Sequence, residues 1–210
     1  MRQTFSGEIC GVGTAAGHRI VIGRWVSSPF GPFSDVMVES GAGLRTLLAP
    51  SDDVADFVSS TYEFDDVRIV GVAARREPGR LTCRAGPLEL DAAIGPRTGL
   101  GRLLRLVPAR VASSPTWCTA IDPFARVALR GVRTRGSAGN GRREFYGATD
   151  QREVIEVRAS WAGEDLGALT DVWPPVRFGF SSTPRRPCAV EVTTVILSPS
   201  GAGVPRAGGR

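Results

Sequence analysis

The chain has 210 residues, 42% hydrophobic and 22% charged, which is ample for one folded domain with a real core. All 26 basic residues are arginine and the only histidine is His18, so Schiff-base chemistry, a phosphate-loop lysine and histidine-rich metal sites are excluded. The formal net charge of +5 is unevenly spread: residues 1–70 carry five arginines against nine acids, 71–143 fourteen against four, and 144–210 seven against eight.

The first chemical motif is Gly11-Val12-Gly13-Thr14-Ala15-Ala16, which fits the dinucleotide pattern GxGxxA with Asp35 roughly 20 residues on. That pattern requires a helix to start at the second glycine, where its N-terminus holds the pyrophosphate. Here His18 to Val26 (HRIVIGRWV) follows and reads as a strand, so a glycine-rich hairpin turn is expected instead. His18, at the junction of turn and strand, is read as solvated rather than catalytic, because no GxSxG nucleophile elbow accompanies it.

Strands are expected at Asp35 to Glu39, Leu44 to Leu48, Val67 to Ala73, Arg80 to Ala85 and Leu88 to Ile94. A helix is expected after Ser51, an N-cap with Asp52 and Asp53 in the first turn. A second is expected over Arg97 to Val107, where Leu100, Leu103, Leu104 and Val107 form one apolar stripe that would cap the core. Asp122-Pro123 offers a third helix start, in competition with a strand from Val127. Asn140-Gly141 marks a tight hairpin turn between Val127 to Arg135 and Arg142 to Ala148, and the arginines there suit an exposed edge that resists further pairing. Val154 to Trp161 alternates well, and Ala189 to Leu197 places Val190, Val192, Thr194 and Ile196 on one face of a last strand. The segment 198–210, rich in Gly, Pro and Ser, is expected to be a disordered tail after a single domain of residues 1–197.

Cys10, Cys83, Cys118 and Cys188 form no CxxC pair, so no metal site is expected and the thiols read as small free core residues. No apolar run approaches the roughly 18 residues of a membrane span and no secretory h-region is present, which makes a cytoplasmic location the expectation.

The best candidate for a ligand site is Gly23 to Phe33 (GRWVSSPFGPF), a proline-stiffened aromatic loop between two strands. Trp25, Phe30 and Phe33, with Trp117, are the candidate apolar walls; Arg24 is the candidate anion contact, with Asp35 beside it, and an Arg24–Asp35 pair is one way to bury both. Asp35, Glu39 and Glu191 are the candidate acids or bases. The alternative is that the aromatics only plug one end of the fold. The second candidate patch is the arginine-rich hairpin, with Arg130, Arg133, Arg135, Arg142 and Arg143. It would dock an acidic partner or nucleic acid, although nucleic acid is disfavoured by the scarcity of interleaved aromatics.

The fold expected is mainly β, with about ten short, mostly antiparallel strands as a barrel or two packed sheets and two or three short helices; an α+β sheet with helices on one face is the alternative. The function expected is cofactor-free binding of a small organic ligand, anionic if Arg24 contacts it, in the barrel mouth or between the sheets. An enzyme using carboxylate acid–base chemistry in the same pocket and an interaction protein are the alternatives.

Overall fold

A computed structural model describes residues 1–128, 132–138, 141–179 and 181–198. The chain is mainly β, with 51% strand and 16% helix. The strands are β1 (Arg2–Thr14), β2 (Arg19–Ser27), β3 (Phe33–Glu39), β4 (Arg45–Ala49), β5 (Asp66–Ile69), β6 (Val72–Glu77), β7 (Arg80–Ala85), β8 (Leu88–Arg97), β9 (Arg135–Ala138), β10 (Arg142–Trp161), β11 (Glu164–Asp165), β12 (Leu169–Thr170) and β13 (Cys188–Leu197). The helices are α1 (Asp52–Ser59), α2 (Gly99–Leu104), α3 (Ala109–Ala112) and α4 (Pro115–Ala128).

Ten strands form one sheet in the order β5-β4-β3-β2-β1-β13-β10-β8-β7-β6, curled into a half-barrel. Only the β4–β5 pair is parallel along this path. The two path ends, β5 and β6, are separated in sequence by Val70 and Gly71 alone. So short a link holds those edges close, and the sheet must curl to bring them there. The expected strand Val67 to Ala73 is therefore two strands that break at this link and sit at opposite ends of the path. The expectation of two packed sheets is not met; one sheet turns back on itself.

Period-2 alternation gives the curled sheet two different faces. Cys10, Val12, Ile20, Ile22, Val36 and Leu48 from one half pack against Leu81, Cys83, Leu88 and Leu90 from the other. Residues from both ends of the path meet there, so this is the inside of the curl, and it is filled by side chains. The outer face carries Ile9, Val21, Trp25, Asp35 and Met37, and it is this face that the helices cover.

Ser51 caps α1 as expected, its hydroxyl accepting from the Val54 N–H at 3.4 Å. The Arg97–Val107 expectation contracts to Gly99–Leu104, capped by Thr98. Pro108 disfavours helical backbone at Val107, which ends the run early. The strand expected from Val127 is overturned: α4 runs from Pro115 through Ala128, and among the described residues before the turn only Arg135–Ala138 is strand. Ser114 caps α4 with Pro115 at the first helical position, the same cap-plus-proline signal as Asp122-Pro123 but eight residues earlier. Asp122 instead accepts from the Thr134 N–H (2.9 Å) and pairs with Arg126 (2.9 Å), tying α4 to β9.

β9 pairs with the start of β10 from Arg142↔Ala138 to Phe145↔Arg135, and Gly141 has the positive φ (69°) a tight turn requires; Asn140 lies outside the described residues. In this hairpin β10 is not an edge, because the same stretch also pairs with β13, whereas β9 pairs with β10 alone among the described strands. The proposed tail beyond Ser198 also lies outside the described residues. No helix of the described residues is long and apolar enough to cross a membrane.

Gly11-Val12-Gly13 ends β1, and the chain turns through Ala15 to Gly17 into β2, as a hairpin rather than a cofactor loop. A Cβ on Gly13 would lie 2.2 Å from the Asp171 carbonyl oxygen, so this glycine admits a neighbouring backbone. His18 sits at the turn, and burial lowers its pKa below the ordinary value. All four cysteines are buried and free, and burial pushes the thiols up, to about 12 at Cys83 and Cys188 and about 11 at Cys118.

Candidate functional site

The outer face of the sheet and the helical segment over it enclose a cavity of about 670 Å³. The floor comes from alternate residues of β3, β2, β1, β13 and β10, and the roof from α1 and the segment α2 to α4. The apolar stripe of α2 does not cap a packed core: Leu100, Leu103, Leu104 and Val107 all line this cavity. Trp117, Ile121 and Phe124 of α4 line it too, at the i, i+4, i+7 spacing of one helix face. Leu106 is 78% exposed and Phe124 61% exposed although both line the cavity, so they mark its rim.

Trp25, Phe33, Asp35 and Trp117 all line the cavity. Phe30 does not; it packs behind, 6.3 Å from Phe33 and 5.2 Å from Phe57 between ring centroids. These rings, with Phe5 stacked on Phe57 at 5.1 Å, form a rigid aromatic wall.

Arg24 belongs to the opposite face. Adjacent strand residues point to opposite sides of a sheet, so the residue next to Trp25 cannot share its cavity. Arg24 instead lines a polar recess of about 580 Å³ at the barrel mouth with Glu8, Arg76, Arg152 and Glu191. There Arg76 pairs with Glu8 at 3.2 Å. The suggested Arg24–Asp35 pair therefore does not form, and Glu191, exposed, is also outside the apolar cavity. Glu39 is buried but committed to Arg19 (3.0 Å) and Arg177 (2.9 Å).

The arginines of the hairpin do not form one exposed stripe. Arg142 donates to the Ser60 and Thr61 hydroxyls and stacks over Phe57 at 5.1 Å. Arg133 is exposed and lines the cavity rim, Arg135 is half-buried, Arg143 is exposed over Phe145, and Arg130 lies outside the described residues.

The polar groups of the cavity fall into two sets. In the first, Asp35 of β3 accepts a 2.9 Å hydrogen bond from the Trp25 indole N–H. Gly23, opposite Asp35 in register, makes this contact possible: a Cβ there would lie 2.5 Å from Asp35 Oδ1 and 2.8 Å from Trp25 Nε1. Burial pushes the Asp35 carboxyl up to about 6, against the opposing effect of the Trp25 hydrogen bond.

The second set was not found from the sequence. Tyr62, just past α1, donates to both oxygens of Glu144 (2.9 and 3.0 Å) and lies 2.5 Å from the Tyr146 hydroxyl. Burial pushes Glu144 up to about 7, while hydrogen bonds from the two tyrosines hold it down. Both tyrosine hydroxyls are pushed well above 10 by burial first and the Glu144 charge next, so they stay protonated donors near neutrality. Asp35, Glu144 and Tyr146 all line the same cavity. Neither carboxylate has an ion-pair partner among the described residues. Thr194, cross-strand from Tyr146, lines the cavity with its buried hydroxyl unpartnered among the described residues.

The alternation of Glu144, Tyr146 and Ala148 on β10 was visible in the sequence. The arginine-rich surroundings masked it, since they implied a solvated edge. No group of three or more metal-ligating side chains occurs among the described residues.

No known protein family matches the sequence, and no curated protein matches it. Among solved structures, the chain is similar to an acetoacetate decarboxylase from Legionella pneumophila. The identity is 8% and the TM-score 0.45, over 94% of this chain and 84% of that one.

Proposed function

We propose that this chain binds a small, predominantly apolar and uncharged organic molecule between the outer face of the sheet and the helical segment. One observation carries the reading: a cavity of about 670 Å³, walled by Trp25, Phe33, Phe57, Trp117 and the leucines of α2, with a few convergent polar groups. That size and lining suit a drug-sized ligand, and the polar groups would fix its orientation. An uncharged ligand is favoured over the anionic one expected from Arg24, because the ionisable groups deep in the cavity are the acids Asp35 and Glu144. Arg133, the arginine on the lining, is exposed at the rim.

The test is titration with N-phenyl-1-naphthylamine, a neutral apolar fluorophore. Saturable one-to-one binding is expected, weakened at least tenfold by Leu104→Asp or Trp117→Asp in a chain that still melts cooperatively. Absence of saturable binding, or equal binding by both variants, would overturn the reading.

A further inference from the structure

We infer that the cavity catalyses proton transfer at a carbon next to a carbonyl group, with Asp35 as the base and the Tyr62–Glu144–Tyr146 cluster, with Thr194, holding the carbonyl oxygen. The inference rests on the small-molecule reading above and adds an activity and a substrate class: an uncharged ketone or enone on an apolar skeleton.

Two buried carboxyl groups in an apolar cavity, neither ion-paired among the described residues, are costly, because burial penalises the charged form. Orienting an uncharged ligand needs hydrogen-bonding groups but not ionisable acids. A base on an apolar cavity lining gains reactivity, and such carboxyls cluster where proton transfer is needed. The two sets are also chemically distinct. Asp35 has one side-chain donor, the Trp25 indole at Oδ1. Glu144 is surrounded by tyrosine hydroxyls, and Tyr146 has the Thr194 hydroxyl as its cross-strand neighbour. One set accepts a proton; the other is rich in O–H donors of the kind that stabilise a developing oxyanion. The buried Thr194 hydroxyl, unpartnered among the described residues, is a donor for which a ligand oxygen is the natural acceptor.

The step balances without a co-reactant. The Asp35 carboxylate takes the α-proton: the C–H bond breaks, an O–H bond forms on Asp35, and the carbonyl π pair moves onto oxygen. The enolate oxygen is held by the Thr194 hydroxyl, unpartnered among the described residues, and by the tyrosine cluster with Glu144 protonated, because an ionised Glu144 would keep the tyrosine protons and repel the oxyanion. Return of the proton to the same carbon, or to the far carbon of an extended enol, restores the carbonyl and the ionised Asp35. The net reaction is exchange or isomerisation. No lysine is required, which matters in a chain that has none.

The probe is 2-tetralone in D2O, with deuterium uptake at its α-carbons followed by proton NMR and its binding followed by quenching of tryptophan fluorescence. The full chain is expected to bind the ketone and to exchange it at least a hundredfold faster than buffer, the lower end of general-base catalysis. Asp35→Asn should return the rate to within a few-fold of buffer with Kd changed less than threefold, and Asp35→Glu should retain an intermediate rate. The unaltered chain supplies a check that needs no variant: its exchange rate should rise through about pH 6 as Asp35 ionises. Bound tetralone that exchanges no faster than in buffer, or Asp35→Asn exchanging like the parent, overturns the catalytic inference and leaves the binding reading standing. Tetralone that does not bind counts against both.

Discussion

Replacing Glu144 by glutamine gives the most direct test of the buried carboxyl cluster. The side chain is fully buried, and it titrates at about 7 in the folded chain against an ordinary value of 4.5. Each tenfold change in proton affinity is about 1.4 kcal/mol, so the ionised carboxylate costs the fold about 3 kcal/mol. The direction follows from which state holds the proton. Below pH 4.5 both the folded and unfolded chains are protonated at this site and the stability is complete. Between pH 4.5 and 7 the unfolded chain releases its proton while the folded chain keeps it, so stability falls. Above about 7 both are ionised and the loss is finished. Asp35, raised to about 6, acts in the same direction over a lower range. Glu144→Gln keeps the shape and an acceptor for Tyr62 but cannot ionise. Urea denaturation of both chains from pH 4 to 8 isolates the Glu144 contribution, because Asp35 is common to both. The variant should gain on the parent by about 3 kcal/mol across that range, with most of the gain between pH 4.5 and 7. A difference that stays constant with pH, or narrows as pH rises, would show that Glu144 does not hold its proton in the fold and would refute the argument.

Three further outcomes follow from the same geometry. Gly23→Ala should cost about 1–3 kcal/mol in chemical denaturation, because its Cβ would drive Asp35 and Trp25 apart. Glu39→Gln should cost about 3–5 kcal/mol, since it strands Arg19 in the interior without its partner, whereas loss of an exposed pair such as Arg158–Glu156 should change the midpoint little. Ellman's reagent should label none of the four cysteines in the native chain and all four in denaturant, because each is buried and burial raises its thiol.

Much of the architecture was legible because alternation is a local property. Val190, Val192, Thr194 and Ile196 were assigned to one face from spacing alone, and they line one cavity. Ser51 announced α1 because a side-chain cap acts within a few residues. Where reading failed, two local signals competed. Ser114-Pro115 and Asp122-Pro123 carry the same helix-start chemistry, and the packing of Cys118 against Phe145 and Val195 of the sheet favours the first. The arginines around Glu144 suggested an exposed hairpin, but pairing of β10 with β13 and docking of Arg142 on Phe57 put that strand inside.

The sequence by itself determined the chemistry available: arginine without lysine, one histidine, no cysteine pair, and a mainly β chain with aromatic residues concentrated between Trp25 and Phe33. It also determined which side chains share a face, because a strand alternates whatever surrounds it. Only the tertiary structure decided which face encloses space. The curl of the sheet fills its inner face with aliphatic side chains and leaves the outer face to the helices, which sends Trp25 and Asp35 to the cavity and Arg24 to the barrel mouth. The meeting of Tyr62 with Glu144 and Tyr146, more than 80 positions away, depends on that curl. Long-range closure of this kind is set by how faces pack, and it leaves no trace in local spacing.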